Sequence, residues 1–367
     1  MAQTTQEMTQ SPTEGVSEGL TLRQFEETVR GEHLYPLWVA TAERATDART
    51  PIRPHVWSWK HLRRRILQAG ELIPLGEKGA ERRALTLHNP GLPRDTMGIT
   101  HTLVAAIQMV HGTEVAPSHR HTPAALRLIK EGKGACTVVN GEPESMEKGD
   151  FLLTPSWYWH GHFSEHDEPM LWMDGLDVPL VLSLGANFYE EYPEKLQPAS
   201  APRDESIRRY SGGGLLPVGE RKATLNSPLL NYRWARTEEK LMQLKDRDGS
   251  PYDGVALQFT NPFTGGPVMP TIDCWIQLLR PGEQTRAHRH TSSVVYNVVR
   301  GTGSTVIDGQ KFDWTEGDIF CLPIWASHKH LNPSPSEEVI LFSMSDSPVL
   351  QALGIYREAD QEDGNGH

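Results

Sequence analysis

The chain has 367 residues, 37% of them hydrophobic and 23% charged, with a formal charge of −11, which is enough to bury one large or two medium cores. The acidic balance, with no basic run, sets aside a nucleic-acid partner, and no stretch reaches the roughly 18 apolar residues of a membrane span. The opening MAQTTQEMTQSPTEGVSEG lacks the basic and apolar regions of a secretory leader, and Cys136, Cys274 and Cys321 are scattered without CxxC spacing, as buried thiols are in a reducing compartment. A cytoplasmic protein is expected.

In chain order, residues 1–20 are polar and expected to be a disordered tail. Residues 21–83 form a helical segment, because TLRQFEETVRGEHLYPLW and SWKHLRRRILQAGELI carry apolar residues at three- and four-residue spacing. Residues 84–192 change to short β-rich runs broken by Gly, Pro and Asn-Gly. Residues 193–254 read as a linker rich in Pro, Ser, Gly and charge that carries a short helix, TEEKLMQLK. A second β-rich region spans 255–357, and 358–367 reads as an acidic tail.

The two β regions repeat each other. VVNGEPESMEKGDFLLTPSWYWHGH matches VIDGQKFDWTEGDIFCLPIWASHKH, and each follows an HRH triplet. Gly141 and Gly309, which close the Asn140-Gly141 and Asp308-Gly309 turns, stand eight residues before the Gly149-Asp150 and Gly317-Asp318 pairs. Pro155, Trp157 and His160 then align with Pro323, Trp325 and His328 at a period of 168 residues, and the HRH triplets at 169. Two copies of one β unit are the expected architecture.

Chance placement of 16 histidines gives roughly one H-x-H triplet. This chain has four: His119/His121, His160/His162, His288/His290 and His328/His330. On a strand, residues i and i+2 face the same side, so each pair can aim two imidazoles at one centre. A hairpin can bring a third, which gives two candidate metal sets: His119, His121 and His160, and a second metal site at His288, His290 and His328. Three neutral imidazoles suit Fe, Zn, Cu or Ni rather than Ca or Mg.

The patterns G-x5-H-x-H at Gly282–His290 and G-x5-P-x-W-x-x-H at Gly149–His160 and Gly317–His328 resemble the two cupin motifs. Gly112 of the first copy is one residue out of register. That resemblance implies a mainly β bicupin: two jelly-roll β-barrels with N-terminal and linking helices. The metal-binding Glu common after the cupin HxH is missing, since TPAALR and TSSVVY follow instead. More specifically, GAERRALTLHNPGL, TLVAAIQ, HRHTPAALRLIKEGKG, LLTPSWYWHGH and LWMDGLDVPL resemble the gentisate 1,2-dioxygenase family, whose close relatives cleave salicylate or 1-hydroxy-2-naphthoate.

The resemblance implies one Fe(II) in the N-terminal barrel, O2 as co-substrate, and opening of gentisate between its carboxyl- and hydroxyl-bearing carbons to give maleylpyruvate. It also implies a homotetramer. The residues agree with that chemistry: three neutral ligands leave the 2+ charge for a chelating carboxylate and phenolate to neutralise. Arg127 is the expected hook for the substrate carboxylate, because a guanidinium offers an anion a rigid fork of donors. Of Arg82 and Arg83, which alternate as a strand begins, Arg83 is chosen as the substrate-binding residue. His162 follows His160 by two and is expected to act as acid or base, or to hold a ring hydroxyl. Gln108 and Asp174 are expected to orient substrate or a ligand imidazole. The competing readings are a non-catalytic metal-binding bicupin and an isomerase or decarboxylase cupin that consumes no O2.

The repeat also predicts inequality. Gln277 and His330 match Gln108 and His162, but Tyr296 stands six residues after His290 where Arg127 would be, and Ser343 aligns with Asp174. Chemistry is expected in the first barrel only.

Overall fold

A computed structural model describes residues 20–39, 48–76, 79–220, 224–247 and 249–360. The expected disordered tail, apart from Leu20, and residues 361–367 of the expected acidic tail lie outside them. The chain divides into two compact units, Met1–Asp47 and Ala48–His367. Within the first, helix Leu22–Gly31 starts at a capping box: the Thr21 hydroxyl accepts from the Gln24 backbone while the Gln24 side chain accepts from the Thr21 N–H.

The second unit is built from antiparallel sheets, as the sequence predicts. One six-stranded sheet runs Asn231–Tyr232, Phe151–Thr154, Ala125–Glu131, Met170–Leu176, Val104–Val110 and Ala84–Thr86. Its five-stranded partner runs Tyr189–Glu191, Val115–His121, His160–Ser164, Lys133–Val139 and Glu142–Glu147. Ile129, Leu152, Met170 and Trp172 of the first sheet meet Ala116, Ala135 and Met146 of the second, and this cluster fills the first barrel. The repeat builds the same barrel again. Its six-stranded sheet runs His55–Trp57, Ile319–Leu322, Val294–Arg300, Val339–Ser345, Asp273–Leu279 and Val255–Gln258, and its five-stranded sheet Gln310–Thr315, Thr302–Ile307, His328–Leu331, His288–His290 and Glu358–Asp360. Glu358–Asp360, within the expected tail, is thus the counterpart of Tyr189–Glu191. Asn140-Gly141 and Asp308-Gly309 take positive φ at both positions, the conformation of two-residue hairpin turns.

The two six-stranded sheets pack back to back. Ala105, Ile107, Met109, Leu126, Leu128, Phe151, Leu153, Leu171 and Met173 share one core with Cys274, Ile276, Leu278, Val295, Ile340, Phe342 and Met344. Each of these sheets is therefore buried on both faces, and Val104–Val110 has no exposed residue. Pleating sorts the rest. Odd positions of Val104–Val110 face the other barrel, so Gln108 faces the interior of its own.

Two arms tie the barrels together. Strand His55–Trp57 pairs with the second barrel, while the helix that follows it, Trp59–Leu72, packs on Val104–Val110 of the first. Strand Asn231–Tyr232 pairs with the first barrel, while helix Trp234–Leu244 packs on Val255–Gln258 of the second. The repeated Gly-Asp motifs pin both arms. Asp318 accepts from Trp59 N at 2.8 Å and Asp150 from Trp234 N at 2.9 Å, so each carboxylate satisfies an otherwise orphan donor at a helix start. A Cβ on Gly317 would lie 2.5 Å from the Trp59 ring, and one on Gly149 would lie 2.6 Å from that of Trp234. Both glycines also hold positive φ, so close approach and backbone conformation both demand them.

Candidate active site

Strands Val115–His121 and His160–Ser164 are neighbours with His119 opposite His160. The register therefore supplies the third imidazole beside the first two. His119, His121 and His160 offer nitrogens that all lie within 4.8 Å of one another. The His121 ring sits 5.2 Å from that of His119 and 4.9 Å from that of His160.

Each Nδ1 is already occupied. His121 donates to Pro123 O at 2.7 Å and His160 to Tyr158 O at 3.0 Å, acceptors that fix the proton on Nδ1. His119 donates to the Glu81 carboxylate and also lies 3.1 Å from the Tyr189 hydroxyl. Three Nε2 lone pairs are left to converge. Burial holds His119 down to about 4 and His160 well below the ordinary imidazole value, so both are neutral at neutral pH. Oriented, neutral imidazoles with hydrogen-bonded outer nitrogens are what a first-row transition metal requires, and the residues fit one. The Pro-x-Trp of the second motif contributes as well: Trp157 takes φ 64° and donates its N–H to His121 O at 2.8 Å.

The interior above the triad is cationic. Arg127 is buried opposite Asp174 on the adjacent strand, with Nε 3.4 Å from Oδ1, and its Nη1 donates to Thr154 Oγ1 at 2.5 Å. Trp172 Nε1 donates to Asp174 Oδ1 at 2.9 Å, which fixes the carboxylate that faces Arg127. Burial pushes the Asp174 carboxyl up to about 6 despite the Arg127 guanidinium.

Arg83 lies elsewhere than the sequence expectation puts it. Its guanidinium is bidentate to Glu114 at 2.8 and 2.5 Å and donates to Ile73 O at 2.8 Å, away from the histidines. Arg82 is the arginine at the site, with Nη2 3.3 Å from His119 Nε2. Pairing explains the exchange: Ala84 stands opposite the inward Gln108, so Arg82, two residues earlier, faces inward and Arg83 does not.

His162 and Gln108 lie in the same interior. His162 Nδ1 shares a hydrogen bond with Thr137 Oγ1 at 2.9 Å, and its ring stands 5.1 Å from that of Trp172. His162 Nε2, Gln108 Nε2 and Arg127 Nε are buried without a protein hydrogen bond, an unusual concentration that a polar ligand would satisfy. Glu81, Tyr189, Thr137 and Thr154 carry no signal in the sequence, and Arg82 is weighed there only as the alternative to Arg83. Only Arg82 had a usable signal, the strand parity counted back from Gln108.

In the second barrel, His288 stands opposite His328, and the nitrogens of His288, His290 and His328 also lie within 4.8 Å. Tyr296 stands opposite Ser343 in the register that Arg127 and Asp174 hold in the first barrel. The Tyr296 ring is buried and stacked on Phe320 at 4.8 Å, and His330 meets it edge-on at 5.0 Å. An aromatic slab thus fills the place that Arg127 holds in the first barrel.

Two jelly-roll barrels in one chain, each bringing three histidines to its interior, make this protein a bicupin. The cupin domain model matches residues 106–178 and 275–344. The chain is 39% identical to gentisate 1,2 dioxygenase 1 of Aquipseudomonas alcaligenes over 92% of its own length and 96% of that protein. It is 38% identical to 1-hydroxy-2-naphthoate 1,2-dioxygenase of Nocardioides sp. (strain KP7), over 93% and 88%. The crystal structure of salicylate 1,2-dioxygenase from Pseudaminobacter salicylatoxidans superposes with a TM-score of 0.86 at 35% identity, covering 94% of this chain and 99% of that one. The chain belongs to the gentisate and salicylate 1,2-dioxygenase family, and is an oxidoreductase of the dioxygenase class. Among the described residues no helix is long and apolar enough to cross a membrane.

Proposed function

We propose that the protein is an Fe(II)-dependent ring-cleaving dioxygenase acting in its first barrel. In this reading it opens gentisate between the carboxyl- and hydroxyl-bearing carbons with O2 to give maleylpyruvate. The observation that carries this reading is the pairing of the first triad with two arginines, half-buried Arg82 and buried Arg127. His119, His121 and His160 would hold the iron, which when bound supplies the redox chemistry and the template that bring O2 and an ortho-hydroxy acid together. Arg127, locked by Asp174 and Thr154, gives the substrate carboxylate a charge-assisted partner at fixed orientation. Arg82 adds a second positive charge beside His119. Burial lowers the His162 pKa well below the ordinary imidazole range, so its ring stays neutral and Nε2 can hold a ring hydroxyl by a hydrogen bond. Gln108 Nε2 is a free donor for a substrate oxygen.

Salicylate and 1-hydroxy-2-naphthoate present the same chelating edge and are the alternative substrates. The test is O2 uptake by anaerobically iron-reconstituted protein with the three acids, followed by ultraviolet absorbance. Uptake with gentisate fastest is expected. No uptake with any of the three would end the proposal, and turnover without O2 would favour an isomerase or decarboxylase.

A further inference from the structure

We propose that His288, His290 and His328 form a second metal site that fills after the first, and whose ion braces the barrel instead of binding substrate. The order of filling rests on the first triad being the metal centre proposed above.

The second donor set is as convergent as the first and is buried at all three residues. His290 Nδ1 donates to Ser292 O at 3.0 Å and His328 Nδ1 to Ala326 O at 3.1 Å, which leaves their Nε2 atoms free. His328 Nε2 is buried without a hydrogen bond. A transition-metal ion satisfies that set.

The surroundings exclude an anionic substrate. Ala256 stands opposite Gln277 as Ala84 stands opposite Gln108, so Gly254 occupies the register of Arg82. Tyr296 occupies that of Arg127. Both cations of the first site are therefore replaced, one by no side chain and one by a stacked ring.

The two seams are otherwise alike: Gln284 bridges Leu331, Thr285 N donates to His330 O at 3.0 Å and His288 stands opposite His328, as Val115, Ala116 and His119 stand opposite Phe163, His162 and His160. An ion held across His288, His290 and His328 ties these two strands and stabilises the barrel because it binds only the folded chain.

The sites differ in the support given to the first histidine. His119 Nδ1 is held by the Glu81 carboxylate and Tyr189, whereas no side chain holds His288 Nδ1 and only the Arg286 backbone approaches that ring as an acceptor. Asp253, in the register of Glu81, is engaged instead by Ser250 Oγ at 2.9 Å and Gln277 Nε2 at 3.2 Å. Outer partners of metal-bound histidines are typically worth about 10–100-fold in affinity. Glu81 is thus a positioning residue, and the first site loads first.

The experiment is an anaerobic titration of the chelator-stripped full chain with Co(II), read by visible absorbance, equilibrium dialysis and Tm. Two equivalents are expected, the first about tenfold or more tighter, with the second raising Tm. His288→Ala with His290→Ala should bind one equivalent, keep the tight phase and lose the second rise in Tm; His328→Asn serves where that variant fails to fold. Glu81→Ala should weaken the tight phase by about 10–100-fold, and Glu81→Gln should recover part of it. A single equivalent bound by folded wild type, equal affinities, or loss of the tight phase in the folded second-site variants overturns the proposal. Absence of O2 uptake would sink the dioxygenase reading and leave these metal readouts as they are.

Discussion

Arg127 and Asp174 stand opposite each other on adjacent buried strands, 3.4 Å apart, and their repeat counterparts Tyr296 and Ser343 stand opposite each other in the same register. One backbone thus carries a charged pair in one barrel and an aromatic and a hydroxyl in the other. Arg127→Ala should keep the metal bound and raise KM with lower turnover, at a loss of about 1.5–3 kcal/mol from one charge-assisted contact. Metal analysis beside steady-state kinetics checks it, and near-normal kinetics would remove Arg127 from the site.

Asp174→Ala should cost more in stability than in metal content. It strands a buried guanidinium, and breaking a buried pair from one side costs about 3–5 kcal/mol. Denaturant melts of the variant beside Arg127→Ala measure the difference.

Arg82 and Arg83 should separate cleanly. Arg82→Ala is expected to weaken substrate binding at unchanged Tm, whereas Arg83→Ala should lower Tm through loss of its bidentate contact with Glu114 and leave KM near wild type. The opposite pattern would restore Arg83 to the substrate site.

Glu144 gives an alkaline signature from the edge of the five-stranded sheet, where it stands opposite Thr137. Burial and the neighbouring Glu142 push its carboxyl far above the usual range; Ser206 Oγ donates to Oε1 at 3.0 Å, and Oε2 has no partner. A raised folded pKa means that the native state holds a proton the unfolded chain releases near pH 4.5. Stability from this group is therefore full below that value and is lost as pH rises towards the raised one. Glu144→Gln should raise Tm at pH 8–9 and flatten the alkaline decline; an unchanged pH profile would show that Glu144 is ionised in the fold.

The motifs made the barrels legible because each stands where geometry leaves little choice. Asn140-Gly141 and Asp308-Gly309 turn hairpins, and the H-x-H pairs point one way because strands alternate. The sequence could not choose between Arg82 and Arg83 because alternation fixes relative, not absolute, facing, and only the Ala84–Gln108 pairing sets the phase. Glu81 and Tyr189 meet His119 from segments far apart in sequence, and neither sits in a motif. The Gly-Asp pairs were visible as repeats, yet nothing local says that Asp318 serves a helix starting at Trp59.

That crossed arrangement makes the halves hostages of each other. A chain severed in the linker near residue 200 would leave the first half holding the strand that completes the second sheet, and the second half holding the strand that completes the first. Either fragment would also expose the apolar back of a six-stranded sheet. The pair can therefore be inherited, expressed and melted only together, so a change that loosens one barrel reaches the other through its clasp.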